Sequence, residues 1–157
     1  MAQAPRRWVL LAYRMPREPS TPRIAVWRKL RRLGVAQIVD GLVAVPESVS
    51  SLEQLGWVAN DVLDAGGEAT LWTAELSSAT QERELVARLN REVGDAYRAF
   101  ASSAKDAEQN GEPVGRRQYE RFGRELRAIV RRDHLAASGR DRAERALKRL
   151  ALVRVPS

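Results

Sequence analysis

The chain has 157 residues, one histidine, no cysteine and a formal charge of +7. That length suits a domain with an ordinary core, and the lack of cysteine excludes disulfides, thiolate zinc sites and cysteine nucleophiles. The longest apolar run near the N-terminus, Trp8 to Tyr13, falls far short of the roughly 18 residues of a membrane-spanning helix and below a signal-peptide h-region, so a soluble, cytoplasmic protein with no membrane partner is expected.

Met1 to Arg7 is expected to be a frayed tail. Trp8 to Tyr13 is a continuous apolar run of strand length, as in a strand covered on both faces, and it is expected in the middle of an antiparallel sheet. Pro16, Pro19 and Pro22 keep the next segment extended until Ser20 or Thr21 caps a helix, with Pro22 tolerated in its first turn. Ile24, Trp27, Leu30 and Leu33 recur at about one helical turn and predict the buried stripe. Arg23, Arg28, Lys29, Arg31 and Arg32 make the rest of that helix cationic, and Gly34 suits its C-terminal cap. Val35–Val39 and Leu42–Val45 then flank Asp40-Gly41, the preferred chemistry of a type I′ hairpin, and Pro46 stops the second strand.

A second helix starts within Ser48–Ser51, where Ser50 and Glu53 have capping-box spacing. Leu52, Leu55, Ala59, Val62 and Leu63 predict its inner face, and Gly66-Gly67 its end. Glu68 to Leu76 predicts a fourth strand with Leu71 and Thr73 on one side, Trp72 and Ala74 on the other. The order βαββαβ predicts an α+β fold, a ferredoxin-like sandwich over residues 1–77. Residues 78–157 predict a C-terminal helical extension: one helix from Thr80 to Ala107, one from Gly115 to Ala137, and a last helix with Ala143, Ala146, Leu147 and Leu150 inward. The sandwich and the extension are expected to form one cooperative domain. One tryptophan falls on each of two strands and two helices, which favours core packing over base stacking, with a partner interface open to Trp57.

Charge is unevenly placed: residues 1–46 carry +7, residues 47–112 carry −8 and residues 113–157 carry +8. Two basic segments around an acidic middle suggest a surface for a polyanion, against which stands an arginine-rich composition with ordinary solvated faces. Guanidinium forks suit phosphate oxygens, and the candidate DNA- or anion-binding residues are Arg23, Arg28, Arg31 and Arg32 on the first helix and Arg121, Arg124, Arg131 and Arg132 on the fourth. Arg117 continues the second stripe, and Arg142, Arg145 and Arg149 form a similar one on the fifth helix. The competing reading for both stripes is solvation and intrahelical pairing with Glu120, Glu125 and Glu144.

Catalytic signals are weak. His134 is the only histidine and has no cysteine neighbours, Gly66-Gly67 follows a helix and so is a stop signal, and Asp61 with Asp64 fits surface pairing better than a metal site. Neither a catalytic residue nor a cofactor nor a metal is expected, and the chain is read as a non-enzyme.

Tyr13, Pro16, Pro19, Ser20, Arg23, Trp27, Arg28, Leu30 and Gly34, then Asp40-Gly41 and Pro46, resemble the N-terminal domain of the ChrB family, the regulators of bacterial chromate-resistance operons. Gly66-Gly67-Glu68-Ala69 and Arg132-Asp133 with the residues after it add two further patches. The resemblance implies a chromate-responsive transcriptional regulator or its DNA-associated module, with duplex DNA, a chromate-like oxyanion and a second copy of the chain as partners. Typical members are longer and carry a second domain. A protein–protein interaction module of a chromate-resistance system is the alternative, ahead of a metal-dependent nuclease or a chromate reductase.

Overall fold

The computed structural model describes residues 4–153, so part of the expected N-terminal tail, residues 1–3, lies outside the described residues. It divides into two compact units, one reaching to Ala87 and the other starting at Arg88. Among the described residues the elements run β1 (Trp8–Arg14), α1 (Ser20–Leu33), β2 (Ala36–Val39), β3 (Leu42–Pro46), α2 (Val49–Asp64), β4 (Glu68–Ala74), α3 (Ala79–Gln109), α4 (Arg116–Arg131) and α5 (Arg140–Leu152). The fold is therefore mixed α+β.

In the first unit the four strands form one antiparallel sheet in the order β2-β3-β1-β4. The apolar run Trp8–Tyr13 thus lies in a central strand, with Leu11 opposite Val43 on one side and Leu71 on the other. Alternation sends Val9 and Leu11, with Val43 and Val45, toward Val26 and Leu30 of α1 and Leu55, Val58 and Val62 of α2. Burying a side chain such as Leu11 contributes about 1.5–3 kcal/mol, so these residues hold the unit together.

Several local expectations are corrected by packing. The inner stripe of α1 is Val26 and Leu30, while Ile24 and Trp27 are exposed. The stripe drawn from Ile24 and Trp27 is phased about a quarter-turn off, because large apolar side chains flank the true seam and smaller Val26 fills it. Pro19 holds the N-cap position of α1 and no side chain caps it, so neither Ser20 nor Thr21 does; Gly34 ends it in the left-handed region as expected. On α2 the capping box is Ser48 with Ser51, and the Ser51 hydroxyl also donates to the Pro46 carbonyl at 2.8 Å. Ser50 and Glu53 have the spacing but begin two residues late. Leu52 and Leu63 are exposed, and Val58 takes their expected place in the core. At the hairpin Gly41 has φ 77° while Asp40 does not have positive φ, so the turn is not type I′, and a register irregularity between Gln37 and Val39 absorbs the misfit.

The tryptophans divide sharply. Trp8 is 1% exposed, whereas Trp27, Trp57 and Trp72 are 50%, 60% and 59% exposed, so core packing holds for Trp8 alone. Its indole N–H is buried without a hydrogen-bond partner among the described residues.

The second unit is helical. Tyr97 and Phe100 of α3, Phe122, Leu126 and Ile129 of α4, and Ala143, Ala146 and Leu150 of α5 form its core, with Phe100 and Phe122 edge to face at 5.8 Å. α4 stops at Arg131, short of the expected Ala137. The segment after it is pinned by Asp133, which accepts from the Tyr97 hydroxyl and from the Ala137 amide, each at 2.9 Å. Ala136 adopts φ 53° and Gly139 φ 106°, conformations that a continued helix lacks.

Candidate anion and nucleic-acid interface

At one end of the first unit, the end of β1, the β2–β3 turn and α1 enclose a cavity of about 610 Å³. The turn is locked to the strand because the Tyr13 amide donates to the Gly41 carbonyl at 2.7 Å. Gly41 is required there: a Cβ would lie 2.5 Å from the Tyr13 carbonyl oxygen, and its φ is positive. Tyr13, Asp40 and Gly41 thereby face Arg23 and, about one turn further along α1, the adjacent Trp27 and Arg28.

Electrostatics at this cavity are mixed but tilt positive. Among the described residues Arg23 and Arg28 make no ion pair, and Asp40 supplies one carboxylate that accepts from the Gln37 side-chain amide at 3.3 Å. Burial, and then the Asp40 charge, push the Tyr13 hydroxyl above its ordinary pKa, so it stays protonated and available as a donor. The Arg31 guanidinium lies over the Trp27 ring at 4.9 Å from its centroid, which fixes a cationic and aromatic surface beside the cavity. Two forked donors, a phenolic O–H and an exposed indole can hold a compact anion or the phosphate of a nucleic acid.

In the second unit, Arg121, Arg124 and Arg131 are exposed on the side of α4 opposite Phe122, Leu126 and Ile129, with Arg117 on the same side. Arg132 lies just past the helix as its C-cap and is half-buried, off that face. Arg121, at the edge of that exposed face, reaches back so that its guanidinium lies 5.6 Å from the Phe122 ring centroid. Of the expected carboxylate partners Glu120 is taken by Arg116 and Glu144 by Arg140, while Arg149 of the fifth-helix stripe pairs with Glu108. Among the described residues, none of the eight singled-out arginines is ion-paired. The bland reading for these positions, neutralisation along the helix, is therefore not what the side chains do. It does hold for Arg116 and Arg140, and Asp95 pairs with Arg98 on α3.

Tyr13 and Asp40 were legible only as a strand end and a turn, and Trp27 as core. The available signal was the resemblance itself, since six of its residues, Tyr13, Arg23, Trp27, Arg28, Asp40 and Gly41, meet at this one cavity. Asp61 does not face a metal partner but pairs with Lys29. Among the described residues no three His, Asp or Glu side chains are grouped to hold a metal, and no helix is long and apolar enough to cross a membrane.

A family described as Protein ChrB, N-terminal, matches residues 23–113. That stretch includes the four arginines of α1 and ends before those of α4. The protein ChrB of Cupriavidus metallidurans is 26% identical over 139 residues, covering 87% of this chain and 43% of that protein. The chain thus spans less than half the length of that relative. No solved structure matches the chain.

Proposed function

Because the chain belongs to the ChrB family, we propose that it is a non-enzymatic regulatory module of chromate resistance that acts on duplex DNA. The observation that carries this reading is the set of eight arginines without carboxylate partners, four on α1 and four on or beside α4. Free guanidiniums on a helix face meet phosphate oxygens at little rearrangement cost, and they set affinity and register without reading bases. The strand order β2-β3-β1-β4, with α1 and α2 as the two crossovers, supports a ferredoxin-like sandwich as the scaffold that presents α1. A chromate-like dianion is the small ligand of this reading, with Arg23, Arg28 and the Tyr13 hydroxyl as its donors. Because DNA phosphate and the dianion would draw on the same guanidiniums, the ligand lowers DNA affinity by competition.

A second reading, a dimerisation module, rests on the free edge of the sheet. β4 pairs on one side only, and Leu71 and Trp72 on it are exposed, as on strands that take a partner. The test is a titration of a labelled duplex from upstream of a chromate-resistance operon, with and without chromate. The regulatory reading expects binding that weakens in Arg23→Ala/Arg28→Ala and falls when chromate is added. A stable dimer by sedimentation, with no duplex binding at about 50 mM salt, would replace it with the dimerisation reading.

A further inference from the structure

The second unit holds a cavity of about 790 Å³ where α3, the segment after α4 and the start of α5 meet. Its volume lies in the range of small-molecule sites, roughly 300–1,000 Å³. Four arginines line it, Arg98 from α3 and Arg140, Arg142 and Arg145 from α5, against two carboxylates, Asp133 and Asp141. Asp133 is already committed, with one oxygen accepting from the Tyr97 hydroxyl and the other from the Ala137 amide. Arg98 and Arg140 share their charge with Asp95 and Glu144, but Arg142 and Arg145 have no partner among the described residues. They stand three residues apart on α5, on neighbouring turns of one face.

The segment between α4 and α5 that lines this cavity is held firmly. Tyr97 is fully buried, its hydroxyl ties down Asp133, and Gly139 packs so closely that an added Cβ would lie 3.1 Å from the Tyr97 Cβ. Ala136 keeps a left-handed φ of 53° that ordinary loops avoid, which marks a backbone fixed by its surroundings. A concave, preformed seat with surplus guanidinium groups favours a small ligand that enters it, whereas the convex basic face of α4 favours a duplex backbone.

We propose that this cavity binds a soluble polyanion carrying two or more phosphate groups, with Arg142 and Arg145 as its principal donors and Arg98 and Arg140 on the rim. One tetrahedral ion engages one or two guanidiniums, whereas a ligand with two phosphate groups carries enough acceptor oxygens for several of the four arginines that line the cavity. The inference is independent of the DNA reading and of the α1 cavity.

Isothermal titration of the full chain with inorganic pyrophosphate, at fixed ionic strength, tests it, with orthophosphate and a short duplex as separate titrants. In the Arg23→Ala/Arg28→Ala background, which removes the anion donors of the α1 cavity, the expected result is one pyrophosphate site per chain, orthophosphate weaker, and at least a tenfold loss of pyrophosphate affinity on adding Arg142→Gln or Arg145→Gln. Both residues are exposed, so the variants keep the fold, which circular dichroism checks. Absence of pyrophosphate binding in that background overturns the proposal, and so does an affinity that Arg142→Gln and Arg145→Gln both leave unchanged. If Arg142→Gln and Arg145→Gln weaken the duplex and not pyrophosphate, the cavity is part of a DNA footprint and the proposal fails while the DNA reading stands.

Discussion

Gly41→Ala is the substitution whose cost can be worked most fully from the structure. Gly41 has φ 77°, and its Cβ would approach the Tyr13 carbonyl oxygen to 2.5 Å. An L-residue in the left-handed region costs about 1–2 kcal/mol. Relieving the contact moves backbone against backbone and strains the 2.7 Å bond from the Tyr13 amide to the Gly41 carbonyl; overpacking costs about 1–3 kcal/mol and a lost net hydrogen bond about 0.5–1.5. The sum, about 3–6 kcal/mol, is comparable with the whole stability of a small unit. Two other glycines separate the contributions. Gly66 has φ 81° and open space around its Cβ position, so Gly66→Ala pays the conformational cost alone. Gly67 lacks the positive φ but its Cβ would lie 2.5 Å from the Arg14 carbonyl oxygen and 2.8 Å from Val62 Cγ1, so Gly67→Ala pays for crowding alone, about 1–3 kcal/mol. All four tryptophans lie in the first unit, so urea unfolding followed by tryptophan fluorescence reports that unit selectively. Gly41→Ala should be the most destabilised of the three; a cost within about 1 kcal/mol of Gly66→Ala would refute the close approach of the turn to β1.

Further outcomes follow from particular contacts. Tyr97→Phe removes a hydroxyl that donates to a carboxylate and should destabilise the second unit by about 1.5–3 kcal/mol, measured by far-ultraviolet circular dichroism in urea. Burial and the Asp133 carboxylate raise the Tyr97 pKa in the folded state, so the unfolded chain loses this proton first. Its contribution is complete below about pH 10 and is lost as pH rises beyond it, by up to about 1.4 kcal/mol per unit, and Tyr97→Phe should flatten that alkaline fall. Ser51→Ala breaks the capping box and the bond to Pro46 and should cost about 1–3 kcal/mol in a urea midpoint series, whereas Ser50→Ala should stay within about 0.5. Trp8→Ala should cost about 3–5 kcal/mol by the same measurement, and Trp57→Ser and Trp72→Ser far less, because only Trp8 is buried.

Elements were legible where one signal dominated. Six consecutive apolar residues placed β1 centrally, Gly34 ended α1, and Asp40-Gly41 marked the turn. Phase was not legible on α1, because Trp27 and Val26 offer apolar stripes a quarter-turn apart and only the shape of the facing sheet selects Val26. Capping of α2 was misassigned by two residues because Ser48, Ser50 and Ser51 all have the right chemistry, and the choice falls to the Pro46 carbonyl that Ser51 reaches. The arginines of the candidate interface were visible as charges, but their lack of partners was not, since it depends on which carboxylates Arg116, Arg140 and Arg149 occupy. The α1 cavity joins residues up to 28 positions apart, Tyr13 to Gly41, and no local pattern encodes that meeting.

The central claim, that the unpaired arginines meet a duplex backbone, is tested most directly by the salt dependence of binding. Fluorescence anisotropy of a labelled duplex from about 50 to 300 mM salt should give log K falling linearly with log salt, at about −0.9 per phosphate neutralised. Arg28→Ala and Arg131→Ala should each flatten the slope by about one unit and weaken all sequences alike, while Glu92→Gln leaves it unchanged. Parental slopes in both arginine variants would mean that these side chains serve only solvation, and would contradict the account.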